Sequence, residues 1–267
     1  MPRQSDSINN QELSISTGCT SVSPACISCK GRKHSHEEQW KKRKKYERGF
    51  EFVIHYPALD VPFHWQEPRE VEVNPHSDLF HELMPDNVIL RLFDNMSRTQ
   101  MHRYRICTKR PERMADIVIK VNLTGNIWLG TSVESRDQLS RIDHLRKCHP
   151  KIRYVEFEPL MEDLGELDLT GIQWVTVSGG VDPSYAEMKY QWVKDIQRQC
   201  KEQNVPFYFR RWGSNTKNNP DWTDPTRRST HALYTPGGCL LDGKIVRELP
   251  DAPPPVLPRK PIVHKLF

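Results

Sequence analysis

The chain has 267 residues, 36% hydrophobic and 27% charged, with 39 Lys and Arg against 34 Asp and Glu. That length suits one large single-core domain or two ordinary ones. No apolar run approaches the roughly 20 residues of a membrane span, and residues 1–11 lack the apolar stretch of a secretory signal, so a cytoplasmic location is expected.

In chain order, a short β-rich run at 13–15 precedes three of the seven cysteines, Cys19, Cys26 and Cys29, in GCTSVSPACISC. An odd cysteine count in a reducing compartment argues against a disulfide framework. Three close thiolates with no fourth partner nearby suit an iron–sulfur cluster with one iron left open. Zinc is the competitor, because His34 and His36 follow within seven residues of Cys29 and Cys3His sites are common. A loop after the first strand of a βα array would face the pocket, which favours the cluster. Between Lys30 and Arg48 nine basic and three acidic residues give a net of +6, leaving −1 for the other 248. That segment reads either as a solvated face or as a contact for nucleic-acid phosphates.

Further β-rich runs lie at 70–74, 104–108, 127–131, 153–157, 174–177 and 206–209, about every 27 residues. This is the length of a strand, a helix and two loops. Helical signals fall between them. Ile89, Leu92, Phe93 and Met96 form a stripe after Pro85, and Ser135 with Gln138 reads as a capping box. Met188, Trp192, Ile196 and Cys200 recur every four residues. The candidates are a doubly wound sheet and a parallel (βα) barrel, and the polar strand ends favour the barrel. Residues 1–213 are assigned to it, 214–249 to an irregular extension with a polar loop at 215–228, and 250–267 to a Pro-rich tail.

Barrel chemistry gathers at the C-terminal ends of strands. Those ends carry Asn74, Ser77 and Asp78, then Lys109 and Arg110, Glu134, Glu156 and Glu158, Ser178 with Gly179 and Gly180, and Arg210. Alternation puts Tyr154, Glu156 and Glu158 on one face. Carboxylates pointing into a barrel mouth are costly unless paired, so Glu158 is expected within reach of Lys109 or Arg210. The two glycines permit close approach of a ligand to the backbone. His81 is expected to be a hydrogen-bonded structural residue.

The sequence also resembles a family of phage and prophage proteins of unknown function, marked by a three-cysteine motif and related to radical S-adenosylmethionine barrels. The resemblance runs from Gly18 to about Gly213. It is carried by the cysteine motif, SDLFHELMPD (77–86), TKRPERM (108–114), NIWLGTSVE (126–134), Glu158-Pro159-Leu160 and Arg210-Arg-Trp-Gly213. It implies an incomplete, TIM-like parallel barrel of the radical S-adenosylmethionine type. Cys19, Cys26 and Cys29 would hold a [4Fe–4S] cluster, with S-adenosylmethionine on its open iron. Asn74, Ser77, Asp78, Ser178, Gly179 and Gly180 would line the cofactor side, and Lys109, Arg110, Glu134 and Glu158 would position substrate. The chain departs from the pattern in its C-x6-C-x2-C spacing, in Ser28 and Lys30 flanking the last cysteine, and in Gly179-Gly180 lacking a following glutamate. The expected function is an iron–sulfur enzyme, nucleic acid or a modified nucleotide being a candidate substrate. The alternative is a non-catalytic nucleic-acid-binding protein with a zinc-stabilised loop, touching its partner between Lys30 and Arg48.

Overall fold

Alternation of β-branched and aromatic residues with charged ones gives the runs at 70–74 and 104–108 one apolar and one polar face, while the runs at 127–131 and 174–177 hold no charged residue and are buried throughout. A computed structural model of the chain describes residues 9–182, 184–185, 187–214 and 237–252; the loop at 215–228 and nearly all of the Pro-rich tail lie outside these residues. Strand β1 (Asn9–Leu13) is followed by a small antiparallel pair, β2 (Ser16–Thr17) and β3 (Val53–Ile54). Then come β4 (Arg69–Val73), β5 (Arg103–Thr108), β6 (Ile127–Ser132), β7 (Ile152–Phe157), β8 (Trp174–Ser178) and β9 (Phe207–Arg211). These six and β1 form one parallel sheet in the order β1-β4-β5-β6-β7-β8-β9. The sheet curls into a half-barrel, consistent with an incomplete (βα) barrel. Among the described residues, no helix is long and apolar enough to cross a membrane.

The helices are α1 (Lys30–Trp40), α2 (Asp86–Arg98), α3 (Pro111–Val118), α4 (Ser140–Arg146) and α5 (Tyr190–Glu202). On the convex face Val71, Val73, Ile106, Leu129, Val155, Val175 and Phe209 are buried with Ile89, Leu92, Phe93 and Met96 of α2 in one core. Each fully buried side chain of this kind stabilises the fold by about 1.5–3 kcal/mol. The concave face holds Glu70, Glu72, Arg103, Arg105, Cys107, Glu156 and Arg210 instead. Toward the strands' N-terminal ends, Trp128, Tyr154 and Trp174 pack together with Tyr208.

Several expectations are corrected. Strand β1 begins four residues before the run at 13–15, because pairing with β4 recruits Asn9–Leu13. Ser135 and Gln138 do not cap a helix: the hydroxyl donates to the Gln138 carboxamide oxygen, a 3-10 turn spans Arg136–Gln138, and α4 starts only at Ser140. Met188 is buried but precedes α5, whose buried positions are Val193, Ile196, Gln199 and Cys200. The βα alternation fails between β7 and β8, where no helix forms. There Leu160, Leu164, Leu167, Leu169 and Ile172 enter the core as irregular chain. Gln199 and Gln203 satisfy its backbone, accepting from Leu167 N at 2.7 Å and Leu169 N at 2.9 Å.

The extension after the barrel is partly regular. It forms a hairpin of β10 (Leu240–Leu241) and β11 (Lys244–Ile245) and then runs along β9. Phe209 N donates to Val246 O at 2.8 Å, and Trp174 Nε1 to Glu248 O at 2.9 Å. The segment thus covers an open strand edge and the aromatic end of the half-barrel, a position where exposed edges invite aggregation.

Candidate functional site

At the C-terminal ends of the strands the polar concave face opens into a cavity of about 210 Å³. Eleven of the thirteen residues singled out from the sequence line it: Cys19, Cys26, Cys29, Asn74, Ser77, Asp78, Lys109, Arg110, Glu158, Gly179 and Gly180. Glu134 and Ser178 do not; both are buried behind the wall, at 1% and 0% exposure. Glu72, Cys107, His76, Glu156, Tyr185 and Arg210 line it as well.

The loop carrying the cysteines is tied at each end. Asn74 accepts from Ile15 N at 2.6 Å and Ser16 N at 3.2 Å, and donates to Ser16 Oγ at 2.9 Å. Ser77 Oγ donates to Gly18 O at 2.6 Å. Beyond Cys19, the Thr20 hydroxyl donates to Glu82 Oε1 at 2.7 Å and accepts from Arg110 Nη2 at 2.7 Å. His81, fully buried and stacked on Phe52 with ring centroids 4.1 Å apart, adds a 3.2 Å contact to the same hydroxyl. Its structural role is as expected. At the far side the Tyr185 hydroxyl reaches the carbonyls of Ala25 and Ser28, at 2.7 and 2.8 Å. Asn74, Ser77 and Tyr185 therefore position the thiols through the backbone.

The cysteines are free thiols, each of intermediate exposure. Two have cationic neighbours. Arg110 Nη1 lies 3.6 Å from Cys19 Sγ and 2.9 Å from Asp78 Oδ2. Burial, then the Asp78 carboxylate, push the Cys19 thiol up to about 11 against the pull of Arg110. Lys109 Nζ lies 3.9 Å from Cys26 Sγ. Burial raises the Cys26 thiol too, but the Lys109 ammonium and hydrogen bonds from Val22 and Ser23 outweigh it, so the thiol lies below its ordinary value. Lys109 is itself held by Glu134, which also pairs with Arg141 Nη1 at 2.9 Å. Although burial lowers the lysine, the Glu134 carboxylate more than offsets it. Glu134 thus holds a cation at the cysteine loop. It does not face the cavity, contrary to the substrate-positioning role expected from its place at a strand end.

Glu158, part-buried with its side chain 18% exposed, is paired. Arg210 Nη1 lies 2.8 Å from its Oε2, and Arg211 Nη2 lies 2.6 Å from its Oε1. Arg210 is one of the two partners anticipated; Lys109 is taken by Glu134. Burial raises the Glu158 carboxyl, but the two arginines carry it below its ordinary range. Glu156, whose cationic neighbours are Arg210 at 3.4 Å and Arg105, is raised by burial. The glycine pair has a packing reason. A Cβ on Gly179 would coincide with the Trp212 carbonyl oxygen, and one on Gly180 with the Tyr185 ring.

Strand periodicity signals the inward Glu72, Cys107 and Arg210. Arg141 and Tyr185 carry no such signal, since each reaches the site from outside the strands. His34, an expected zinc ligand in the alternative reading, stacks on His76 at 3.9 Å and contacts Tyr46 Oη at 3.1 Å. Among the described residues, no three His, Cys, Asp or Glu side chains are grouped as a metal ion would need.

A family model described as a protein of unknown function (DUF5131) matches residues 8–250. The chain belongs to the DUF5131 family. No curated protein and no solved structure matches it.

In this DUF5131 chain the cysteine-bearing loop runs into α1, which packs so closely on the strand end after β4 that a Cβ on Gly31 would lie 2.5 Å from His76 O. Burial first, then His34 and Lys30, lower the His76 imidazole to about 4. A histidine depressed in the fold binds fewer protons there than when unfolded. Its contribution to stability is therefore full above the unfolded value of about 6.5 and is lost as pH falls from there toward 4. Between pH 7 and pH 5 the loss is expected to be about 2 kcal/mol. Urea unfolding of the parent and of His76→Asn at both pH values measures it: the variant is to show the smaller drop. Equal drops would mean that His76 is protonated equally in both states.

Proposed function

We propose that the chain is an iron–sulfur enzyme of the radical S-adenosylmethionine type, related to the phage three-cysteine proteins its motifs resemble. One observation carries the reading. A single loop brings Cys19, Cys26 and Cys29, all free thiols, to the mouth of a parallel half-barrel cavity. Three thiolates leave one iron of a [4Fe–4S] cluster open. Each thiolate of such a cluster binds a different iron, so the three need not converge on one point as ligands of a single zinc ion must. The cations fit as well: Lys109 and Arg110 reach two of the three sulfurs and offset negative charge there. The engagement of His34 with His76 and Tyr46 weighs against the zinc alternative.

When bound, the cluster supplies the electron that cleaves S-adenosylmethionine reductively. The chain's own residues bind and orient. Asn74, Ser77 and Tyr185 hold the loop, and Arg141 with Glu134 fixes Lys109. Arg210 with Glu158 forms a charged floor on which a polar substrate would be positioned. Gly179 and Gly180 form the wall opposite the strand end after β4.

Protein purified and reconstituted anaerobically is expected to be brown, with iron and acid-labile sulfide in cluster proportion. Replacing Cys19, Cys26 and Cys29 by alanine should abolish both. Cys148→Ala and Cys239→Ala, at positions buried away from the cavity, should not. Colourless protein that takes up stoichiometric zinc and no iron would overturn the reading.

A further inference from the structure

We infer that the end of α1 and the turn after it form a docking surface for single-stranded nucleic acid. Trp40 stacks on a base and the surrounding lysines hold phosphates. The inference stands apart from the cluster reading, because Trp40 and Lys41–Lys45 lie outside the cavity lining.

The charge is partly explained by the fold and partly not. Glu38 takes Lys41 at 2.7 Å and Arg43 at 3.8 Å, and Lys45 Nζ donates to Ser14 O at 3.2 Å. Cations at a helix C-terminus also complement its dipole. Among the described residues, however, Lys42, Lys44 and Arg48 enter no ion pair, and all three are exposed. The remaining acids of the segment are Glu37 and Glu47. With Lys30 at the cavity and Lys45 tied to Ser14 O, the segment still presents a net positive charge to solvent.

In the last turn of α1, Trp40 is 88% exposed. Arg32 and His36, two turns and one turn earlier on the same ridge, are exposed as well. An isolated exposed tryptophan needs no explanation, but one set among unpaired cations is the combination that single strands require: a flat ring for an unstacked base and charge for the backbone. A duplex hides its base faces. A bilayer would gain little, since Gln39, Lys41 and Glu37 around the ring offer no apolar surface to insert.

The backbone supplies a separate observation. Helix α1 ends in a Schellman turn, with Arg43 N bonded to Glu38 O at 3.0 Å and Lys42 N to Gln39 O at 2.8 Å. The left-handed position in that turn belongs to Lys42, at φ +57°. Glycine is the low-cost residue there. Lysine at this place gives up stability for an exposed cation two residues after Trp40. At the other end, α1 starts directly after Cys29, and Lys30 lines the cavity. Its 11 residues span about 16 Å, so a strand lying on this face would lead to the cavity mouth.

The test is fluorescence anisotropy with a labelled oligothymidine of about 12 nucleotides, across a salt series. A duplex of the same length and vesicles of phosphatidylserine and phosphatidylcholine serve as competitors. Trp40→Ala is expected to weaken oligothymidine binding on the order of 10-fold. Lys42→Gln with Lys44→Gln should lower the salt slope by about 0.7 for each phosphate left without its cation. Lys42→Gly should raise the melting temperature while weakening binding, which a merely structural lysine would not do. Unchanged affinity in Trp40→Ala or in the lysine pair overturns the inference, as does a parent protein that prefers the duplex or the vesicles.

Discussion

Arg210→Met is expected to cost about 3 kcal/mol of stability, the lower end for breaking a buried ion pair. The side chain is 24% exposed, facing the cavity, and it is shared between Glu158 at 2.8 Å and Glu156 at 3.4 Å. Without it Glu158 keeps Arg211, but Glu156 is left with Arg105 as its cationic neighbour. Burial already raises the Glu156 carboxyl, and the substitution raises it further. A carboxyl raised in the fold takes up a proton there before it does so in the unfolded chain. The resulting destabilisation is therefore present at high pH and relieved as pH falls through the folded value. The defect of Arg210→Met should be larger at pH 8 than at pH 5.5 in urea unfolding. Adding Glu156→Gln should restore much of the loss, since removing both partners leaves no unpaired charge. A defect independent of pH, or a double variant no better than the single, would place the cost in poorer packing instead.

What the sequence discloses about this region follows from which forces are local. Strands β4 to β9 are legible because β-branched and aromatic residues gather in short runs, alternating with charged residues in β4 and β5 but uncharged throughout in β6 and β8, and the two-residue period says which side chains turn inward. The run NNQEL of β1 lacks β-branched residues and becomes a strand through its pairing with β4, which no local pattern reveals. The capping pattern at Ser135 is present, yet its two side chains satisfy each other. In the site, spacing exposes the thiols and the lysine that follows β5. It cannot show that Glu134, two residues after Ser132, turns away from the cavity to meet Arg141 of α4. Nor does spacing show that Tyr185 reaches two backbone carbonyls in the cysteine loop 157 and 160 residues earlier. Contacts between distant segments determine those roles.

The glycine pair after β8 separates stability from function. Gly179→Ala should be the most damaging small substitution in the site, at or above about 3 kcal/mol, because overpacking here sets a Cβ against backbone. The obstacle is the Trp212 carbonyl, and Gly179 N donates to Arg211 O at 3.0 Å, so β8 and β9 would have to part. Gly180→Ala meets the near end of the Tyr185 side chain instead, its Cδ2 and, at 2.7 Å, its Cβ, so residue 185 itself must move. Turning Tyr185 aside withdraws its hydroxyl from Ala25 O and Ser28 O, the contacts that hold the loop between Cys26 and Cys29. Its expected signature is a smaller loss of stability than that of Gly179→Ala, with reduced iron uptake on anaerobic reconstitution. Tyr185→Phe, which keeps the ring and removes the hydroxyl, should share the reduced uptake. Should Gly180→Ala unfold the protein while Tyr185→Phe binds iron normally, the glycine would be serving the strand junction alone and Tyr185 would have no part in presenting the thiols.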